Sequence, residues 1–284
     1  MNEKTFLIIG GTDGIGRALA QALAKQHKVL IVGRNQIKGQ SFLDEFGKNA
    51  HFIQSDISLM ENVQKVSDKV KQSVQDLDFI IHTADILRTA RVNTAEGLET
   101  SIAINFYSRV LLNELLLQKF FPERIIHIAA AGFPMNSNFD KKFPVKDNAS
   151  GFSSHGYGQV ANDFYGLWMS KQLLDTKINI LNPGIVDTDI RRNAEMGGFY
   201  KFIMPIMGFF MARNQVTPDE YAQIVLKIFD NDSEDANHFT LIDSKGKGFK
   251  GNKNINDEKM QKYVYDTAVK GLFALVGEFE LGTK

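Results

Sequence analysis

The fold is indicated by one stretch near the N-terminus, Phe6-Leu7-Ile8-Ile9-Gly10-Gly11-Thr12-Asp13-Gly14-Ile15-Gly16, which Arg17-Ala18-Leu19-Ala20 follows. The four apolar residues predict a buried strand, and the segment that opens at Gly16 has the period of a helix. Glycines at these positions allow a tight turn, close approach of the backbone to a pyrophosphate, and close packing of helix on strand. The free N–H groups and the dipole at the helix start favour phosphate charge. The stretch therefore predicts a strand–turn–helix unit that binds a dinucleotide.

The remainder of the chain repeats the alternation of strand and helix. Apolar runs rich in Ile and Val predict further strands at Val29–Val32, His51–Gln54, Phe79–Thr83, Arg124–Ala129, Ile178–Leu181 and Phe239–Ile242. Helical periodicity lies between them, at Gly16–Gln26, Ile37–Phe46, Met60–Val74, Gly97–Lys119, His155–Asp175 and Pro218–Asp230. Such repeated units predict an α/β fold with a Rossmann-type doubly wound parallel sheet. Because there is no linker or repeat, we expect residues 1–284 to form a single NAD(P)-binding domain, with a C-terminal helix and tail over 257–284.

Composition excludes several functions. The 284 residues carry 33 Lys and Arg against 33 Asp and Glu, and no cysteine. This excludes disulfides and thiol chemistry and provides no whole-molecule field for nucleic acid. The six histidines lack metal-binding spacing, so no metal is expected. No targeting signal is visible, and the most apolar stretch, Met196–Ala212, is interrupted and shorter than the ~20 residues that span a bilayer. We expect a soluble, cytoplasmic protein without a nucleic-acid partner or transmembrane segment.

The end of the second strand bears on the choice of cofactor. It reads Gly33-Arg34-Asn35, whereas an acidic residue there would bind the ribose hydroxyls and select NAD. Arg34 offers a cation suited to the 2′-phosphate of NADP, although an ordinary solvated arginine would give the same pattern. Asp13, in the glycine turn, would repel phosphate. On balance the sequence favours NADP(H) over NAD(H).

Further motifs extend the pattern. Asp56-Ile57-Ser58 follows the third strand, Ile104-Asn105-Phe106-Tyr107 leads into a helix, and Asn182-Pro183-Gly184-Ile185-Val186-Asp187-Thr188 follows a later strand. Together with the glycine turn, these segments resemble the short-chain dehydrogenase/reductase family, in its retinol-dehydrogenase-like subgroup. The resemblance covers nearly the whole chain. It implies an NAD(P)-dependent oxidoreductase, and a homo-oligomer is implied by the resemblance alone.

The resemblance also implies where the cofactor is held. The implied contacts are Gly10, Thr12, Gly14, Ile15 and Gly16 in the glycine turn, Arg34, Asn35, Asp56, Ile57 and Ala84 after the next three strands, and Pro183, Gly184 and Thr188 on the nicotinamide side. Asp56 would face the adenine, but it could equally cap the helix that follows it.

The catalytic centre departs from the family pattern. Family members use a tyrosine and a lysine four residues apart on one face of a helix, and a serine on the preceding strand. Tyr157 is in the expected place for the proton donor, but Ala161 stands four residues on and Ala130 takes the place of the serine. A two-residue deletion gives a second alignment, since Val160-Ala161-Asn162-Asp163 resembles the segment that normally follows the lysine. Neither alignment supplies a lysine.

Other polar residues could complete the centre. Asn105 matches the family's catalytic asparagine, which holds a water in the proton relay, but it could instead bridge backbone groups inside the sheet. His155 and Ser154 precede Tyr157 and could substitute for the missing groups if their loop bends inward. The alternative is that they cap the helix.

One segment interrupts the alternation, Asp187–Val216, which is rich in Met and Phe. It corresponds in position to the family's variable substrate lid. Its candidate lining residues are Phe199, Phe202, Met204, Met207 and Phe209. These side chains would form an apolar, adaptable wall around a small hydrophobic substrate. A buried or dimer-packing segment and a contact with a membrane surface are the alternatives.

Two functions follow from these observations. The first is an NADP(H)-dependent oxidoreductase that transfers a hydride to or from a hydrophobic carbonyl or alcohol, with Tyr157 as proton donor and Asn105 in the relay. The second is a catalytically degenerate member that binds the nucleotide as a sensor or partner subunit. The missing lysine and serine favour the second.

Overall fold

Eight strands form one sheet in the computed structural model, which describes residues 3–134, 139, 143–144, 148–187, 215–230 and 238–283. The strands are β1 (Thr5–Ile9), β2 (Lys28–Gly33), β3 (Ala50–Gln54), β4 (Phe79–His82), β5 (Arg124–Ile128), β6 (Lys177–Leu181), β7 (Phe239–Ile242) and β8 (Gly248–Phe249). Their order is β3-β2-β1-β4-β5-β6-β7-β8, and every pair except β7–β8 is parallel. The strand order changes direction between β1 and β4, which opens a crevice at the carboxyl edge of the sheet.

Six helices of the described chain lie between parallel strands, and a seventh follows β8. They are α1 (Gly14–Leu23), α2 (Gln36–Phe46), α3 (Met60–Ser73), α4 (Thr100–Ile102, a π-helical turn over Ala103–Tyr107, then Ser108–Leu117), α5 (Gly151–Gln172), α6 (Pro218–Asp230) and α7 (Glu258–Val276). The predicted strands and helices are therefore present, with boundaries that differ by a few residues.

Both faces of the sheet are covered, which explains why the strands are continuous apolar runs. In β1, Leu7 and Ile9 belong to one hydrophobic core and Phe6 and Ile8 to the other. The first core lies under α3, α4, α5 and α7, and the second lies under α1, α2 and α6. The predicted Rossmann-type doubly wound α/β fold is confirmed, and the described residues form a single domain.

Capping side chains set two helix starts that differ from the prediction. Glu99 accepts hydrogen bonds from the N–H groups of Ser101 and Ile102 at 2.9 and 3.1 Å, so α4 starts at Thr100 rather than at Gly97. The Ser150 hydroxyl accepts a hydrogen bond from the N–H of Ser153 at 3.2 Å, so α5 starts at Gly151. As a consequence, the segment just before Tyr157 is helical, and the inward-bending loop that the sequence suggested is absent there.

The polar segment from Asp243 to Asn256 contains a tight turn and a short strand. Asp243 accepts hydrogen bonds from the N–H groups of Lys245 and Lys247, both at 2.9 Å. Gly246, with a φ of 78°, completes the turn. The chain folds back as β8, which pairs antiparallel with β7.

Residues 188–214 of the predicted lid lie outside the described residues. This holds for Thr188 and for the five lining candidates, Phe199, Phe202, Met204, Met207 and Phe209. Among the helices within the described ranges, none has the length and apolar character needed to cross a membrane.

Candidate active site

A cleft of about 380 Å³ opens at the carboxyl ends of β1, β2, β3 and β4. The glycine turn forms its floor, and the segments after the other three strands form its walls. Nine of the residues predicted to contact the cofactor line it: Gly10, Thr12, Gly14, Ile15, Gly16, Arg34, Asp56, Ile57 and Ala84. The turn and the ends of the strands thus come together as the sequence predicted.

Close packing explains the glycines at the ends of the turn. Gly10 has a φ of 92°, which L-residues with side chains rarely adopt. A Cβ atom on Gly16 would lie 2.4 Å from the carbonyl oxygen of Gly10. Glycine at position 16 therefore lets α1 begin directly against the end of β1, with its first N–H groups at the cleft.

The carboxylate of Asp13 is already paired. It accepts a hydrogen bond from the N–H of Gly14 at 2.9 Å, as the N-cap of α1, and forms an ion pair with the Lys38 ammonium. Because Lys38 offsets its charge, Asp13 opposes phosphate at the helix start less than the sequence alone suggested.

The residues after β2 divide into two roles. The Arg34 side chain is exposed and lines both the cleft and an adjoining groove of about 410 Å³, which Lys65 and Lys69 also line. Asn35 instead caps α2, because its Oδ1 accepts a hydrogen bond from the N–H of Lys38 at 3.0 Å. Asn35 is not among the described residues that line the cleft.

Asp56 lies at the cleft and does not cap α3. It lines the cleft, and its Oδ1 also accepts a hydrogen bond from the N–H of Ser58 at 3.0 Å. The cap of α3 comes from a distant residue, because the Glu96 carboxylate accepts hydrogen bonds from the N–H groups of Met60 and Glu61 at 2.7 and 3.0 Å.

Pro183 and Gly184 lie beyond β6, apart from this cleft. The Asn182 side chain joins them to the neighbouring strand end: its Nδ2 donates to the Ala131 carbonyl at 3.1 Å and its Oδ1 accepts from the Gly184 N–H at 3.0 Å. The two residues thus flank the carboxyl end of β5, where Ala130 takes the serine's place.

His155 forms the centre of a polar cluster at the cleft wall. Its Nδ1 lies 2.9 Å from Asn105 Nδ2, 3.1 Å from the Ile86 carbonyl oxygen and 3.4 Å from Asp85 Oδ1. Asp85 and Ile86 themselves line the cleft. Gln159, one helical turn after His155, donates from Nε2 to Asp85 Oδ2 at 3.2 Å. The cluster joins α5 to the loop after β4.

The amide orientations within this cluster are fixed by backbone groups. Asn105 accepts from the Ile86 N–H and donates to the Ile86 carbonyl, both at 3.0 Å. Gln159 Oε1 accepts from the N–H of Ala130 at 2.7 Å, so its Nε2 is the atom that faces Asp85. Asn105 thus bridges backbone groups, as one of its two interpretations predicted, and in addition contacts His155.

Tyr157 lies on a different side of α5. It lines a separate cavity of about 130 Å³ with Phe133, Phe152 and Val160, and its ring packs on Phe139 with the ring centroids 5.9 Å apart. Residues two apart on a helix point about 200° apart, which explains why Tyr157 does not join the cluster around His155. Tyr157 and Asn105, which both belong to the described residues, therefore do not share a site.

Ser154 is fully buried in α5, and its hydroxyl has no hydrogen-bond partner among the described residues. The sequence reasoning missed Asp85 and Gln159. The signal that could have found Gln159 was the second alignment, which puts residue 159 in the place of the lysine and residue 155 in the place of the tyrosine.

A row of buried side chains extends behind the cluster. His82 Nε2 lies 2.9 Å from Asn113 Oδ1, and Asn113 Nδ2 lies 3.2 Å from His127 Nε2. His127 Nδ1 lies 3.1 Å from Asn162 Oδ1, and the Asn162 amide donates to the Asn105 carbonyl at 2.8 Å. The row ties the ends of β4 and β5 to α4 and α5.

Burial sets the charge states in this region. It lowers the pKa of His82 to about 3, with the Arg109 charge as the second cause, and it lowers the pKa of His127 well below its ordinary value. Burial also raises the pKa of Asp163 to about 7, against the hydrogen bond from the Gly132 N–H. Both buried histidines are therefore neutral at pH 7.

His155 titrates in the opposite direction. Burial alone would lower its pKa, but the charge and hydrogen bond of Asp85, together with the Ile86 carbonyl, outweigh burial and raise the pKa above its ordinary value. Arg109, fully buried nearby, opposes this rise. Within the cluster, Asp85 thus stabilises the charged form of the His155 side chain.

The sheet order, the glycine turn and the cleft define a Rossmann-type fold, the class of fold that binds dinucleotides. The family model of the short-chain dehydrogenases matches residues 4–132. An uncharacterized oxidoreductase of Saccharomyces cerevisiae is 23% identical over 90% of this chain and 84% of its own length, and an oxidoreductase of Emericella nidulans is 28% identical over 70% of this chain and 64% of its own.

A solved structure supports the same assignment of fold. It is a short-chain dehydrogenase from Burkholderia cenocepacia in complex with NADP, with a TM-score of 0.64, 20% identity, and coverage of 86% of this chain and 97% of that one. The chain thus matches the short-chain dehydrogenase family over residues 4–132, is similar to oxidoreductases in sequence, and has the fold of the short-chain dehydrogenases.

Proposed function

We propose that this protein is an NADP(H)-dependent oxidoreductase that transfers a hydride between the nicotinamide and a hydrophobic carbonyl or alcohol. The observation that carries the proposal is the cleft, which is lined by the glycine turn, Arg34 and Asp56. Its size and its position at the change in strand order suit a dinucleotide.

The residues of the cleft fit this cofactor. The turn from Gly10 to Gly16 and the start of α1 would hold the pyrophosphate, because unpaired backbone N–H groups and the helix dipole attract its charge. Asp56, Ile57 and Ala84 would contact the adenosine half. When bound, the reduced nicotinamide supplies a hydride to the substrate, and the protein's side chains bind, orient and supply the proton.

Arg34 supports the preference for NADP(H) over NAD(H). Its guanidinium is exposed at the cleft where the 2′-phosphate of NADP would lie, and no acidic residue stands at the end of β2. A guanidinium binds phosphate oxygens with charge-assisted hydrogen bonds. Lys38 strengthens the argument, since its pairing with Asp13 offsets the nearest negative charge.

A hydrophobic substrate is supported by apolar surface near α5. Phe133, Phe152 and Tyr157 line the cavity of about 130 Å³. The Met- and Phe-rich segment predicted as the lid adds apolar side chains of the kind that such a site needs. We also expect a cytoplasmic homo-oligomer, and light scattering of the purified protein tests the oligomer.

One observation favours the second candidate, a nucleotide-binding sensor or partner subunit without turnover. Ala130 provides no hydroxyl to orient a carbonyl, and Gln159, at the lysine position of the second alignment, carries no charge. If no other group supplies the proton, hydride transfer would lose a factor of about 10²–10⁴.

Cofactor binding is the first experimental test. Titration of the protein into NADPH, followed by nucleotide fluorescence, is expected to give a dissociation constant in the micromolar range and weaker binding of NADH. Absence of binding at millimolar cofactor would refute both candidates. Single-turnover measurements with a panel of hydrophobic aldehydes and ketones then separate the two, because the sensor would bind NADPH without oxidising it.

A further inference from the structure

The proton donor is the missing part of the proposed reaction. His155 and Gln159 are one turn apart on α5, and both contact Asp85 at the wall of the cleft. Residues four apart share a helix face. This pair therefore has the relative placement that the family gives to its tyrosine and lysine.

The surroundings of Nδ1 suit a ring that gains and loses a proton. The Ile86 carbonyl at 3.1 Å and Asp85 Oδ1 at 3.4 Å can accept from a protonated Nδ1, and Asn105 Nδ2 at 2.9 Å can donate to an unprotonated one. Asp85 Oδ1 has no hydrogen bond from any other described residue. Asp85 and the Ile86 carbonyl can therefore hold a proton on Nδ1 both in the charged ring and in the neutral ring that remains after Nε2 loses its proton.

Nε2 is the ring atom left for a substrate. Its neighbour among the described residues is Gln159 Nε2 at 3.4 Å, whose orientation is fixed by bonds to Asp85 and the Ala130 N–H. Two nitrogen donors that face each other do not form a hydrogen bond when the ring is protonated. The His155 side chain is 13% exposed and contacts Asp85 and Ile86, which line the cleft, so a carbonyl oxygen that reached the ring would offer Nε2–H its acceptor.

Two charged groups face His155 from neighbouring elements. Asp85, after β4, favours the imidazolium, and Arg109, in α4, disfavours it. Arg109 donates from Nη2 to the carbonyls of Ala84 and Ile128, at 2.9 and 3.0 Å, which holds its charge beneath the strand ends. Asp85 lies in direct contact with the ring and prevails.

We propose that His155, oriented by Asp85 and Asn105, is the proton donor of this enzyme, and that Gln159 positions Asp85 in place of the family's lysine. The proposal rests on the proposed oxidoreductase function. It assigns the proton chemistry to α5 residues 155 and 159 rather than to Tyr157.

In the direction of reduction, the proposed reaction converts a carbonyl to an alcohol. The substrate carbonyl carbon gains a hydride from the reduced nicotinamide, which is oxidised by two electrons. The carbonyl oxygen takes the proton from Nε2 of the His155 imidazolium, and an alcohol forms. The neutral ring keeps its proton on Nδ1, next to Asp85 and the Ile86 carbonyl, and solvent returns a proton to Nε2.

The first test needs no turnover. The ring carbon resonances of the six histidines are followed by NMR against pH in the full-length protein, and His155→Gln identifies the signal of His155. We expect its pKa to lie above the ordinary value and to fall in Asp85→Asn. A pKa below the ordinary value, or one unchanged by Asp85→Asn, would overturn the proposal whether or not the protein is an enzyme.

The second test compares single-turnover hydride transfer to a hydrophobic aldehyde. His155→Gln is expected to slow it by about 10²–10⁴-fold while the NADPH dissociation constant changes by less than about twofold. His238→Gln, the same substitution at an exposed histidine, is the matched control and keeps the wild-type rate. Circular dichroism verifies that each variant is folded.

Two outcomes of the kinetic test contradict the proposal differently. If Tyr157→Phe removes hydride transfer and His155→Gln does not, the donor is Tyr157 and the proposed function stands. If the wild-type protein binds NADPH but reduces no carbonyl, the oxidoreductase function fails together with the donor. Comparing the pH dependence of the rate in the wild type and in Asp85→Asn adds a check. The rate of Asp85→Asn should begin to decline at a lower pH than the rate of the wild type.

Discussion

The hydroxyl of Thr283 donates a hydrogen bond to the buried carboxylate of Glu114 at 2.7 Å, across 169 positions of sequence. The same carboxylate accepts the N–H groups of Gly282 and Thr283 at 3.0 and 3.1 Å. Burial raises the pKa of Glu114, and these bonds from the tail oppose the rise. The tail after α7 therefore supplies the hydrogen bonds that a buried carboxylate of α4 needs.

Loss of this contact should destabilise the fold. Thr283→Val keeps the shape of the side chain but removes the donor, so we expect a loss of about 1–3 kcal/mol in the free energy of unfolding, measured by urea denaturation. Thr94→Val is the matched control, because the Thr94 hydroxyl has no hydrogen-bond partner among the described residues. Equal losses in the two variants would contradict the role of the tail.

Because Asp163 is buried, we predict that the stability of the folded protein depends on pH. Its pKa is raised to about 7 by burial, and its Oδ1 has no hydrogen-bond partner among the described residues. The native state keeps this proton up to about pH 7, whereas the unfolded chain loses it near the ordinary aspartate pKa of 3.8. Asp163 therefore makes the fold less stable as pH rises from 3.8 to about 7, and its effect on stability is constant above pH 7.

Asp163→Asn should remove that cost, because the amide oxygen can still accept the Gly132 N–H and no charge forms. We expect stabilisation at pH 8 of up to about 4 kcal/mol and little change at pH 4, measured by denaturant unfolding at both pH values. A variant that is less stable than the wild type at pH 8 would show that Asp163 is ionised and paired.

Arg34→Ala tests the choice between the two cofactors. Because one charge-assisted contact to the 2′-phosphate is lost, we expect the dissociation constant of NADPH to rise by about 10–100-fold and that of NADH to remain unchanged. Fluorescence titration measures both. Lys48→Ala removes an exposed cation just before β3, at the opposite edge of the sheet, and should affect neither. A parallel loss for both nucleotides would mean that Arg34 does not bind the phosphate.

Gly16→Ala tests the packing of α1 on the end of β1. A Cβ 2.4 Å from the Gly10 carbonyl oxygen forces the backbone apart, so we expect a loss of about 1–3 kcal/mol in stability together with weaker NADPH binding. Gly248→Ala, where the nearest atom would be 3.4 Å away, should change stability by less than about 1 kcal/mol. Thermal unfolding with and without NADPH measures both effects.

The parts that could be predicted from sequence are those with local signals. The apolar run at β1 and the glycines after it determine a strand, a turn and a helix within a few residues of each other, and the cleft follows from them. Asp243 and Gly246 also carried a local signal, for the turn before β8. The strand itself was missed, because two residues in a polar segment show no period.

The catalytic region depended on contacts between distant residues. Tyr157 matched the family by local spacing, but the face of α5 that packs against the loop after β4 is decided by contacts of His155 with Asp85 and Asn105, 70 and 50 positions away. The contact between Glu114 and Thr283 is likewise invisible in the sequence. Side-chain direction on a helix is set by where the helix begins and what it packs against, and neither is a local property.

The π-helical turn over Ala103–Tyr107 determines how α4 would respond to the loss of one residue. The N–H of Ser108 donates to the Ala103 carbonyl, five residues back, so the turn holds one residue more than an α-helical turn. Removing one residue there would leave a regular helix but would rotate its two halves by about 100° relative to each other. Asn105 and Arg109 would then no longer reach Ile86 and Ala84 together. The turn therefore sets the angular phase of α4, and a change in the residue count between Asn105 and Arg109 would disturb this fold more than a change in the length of a surface loop.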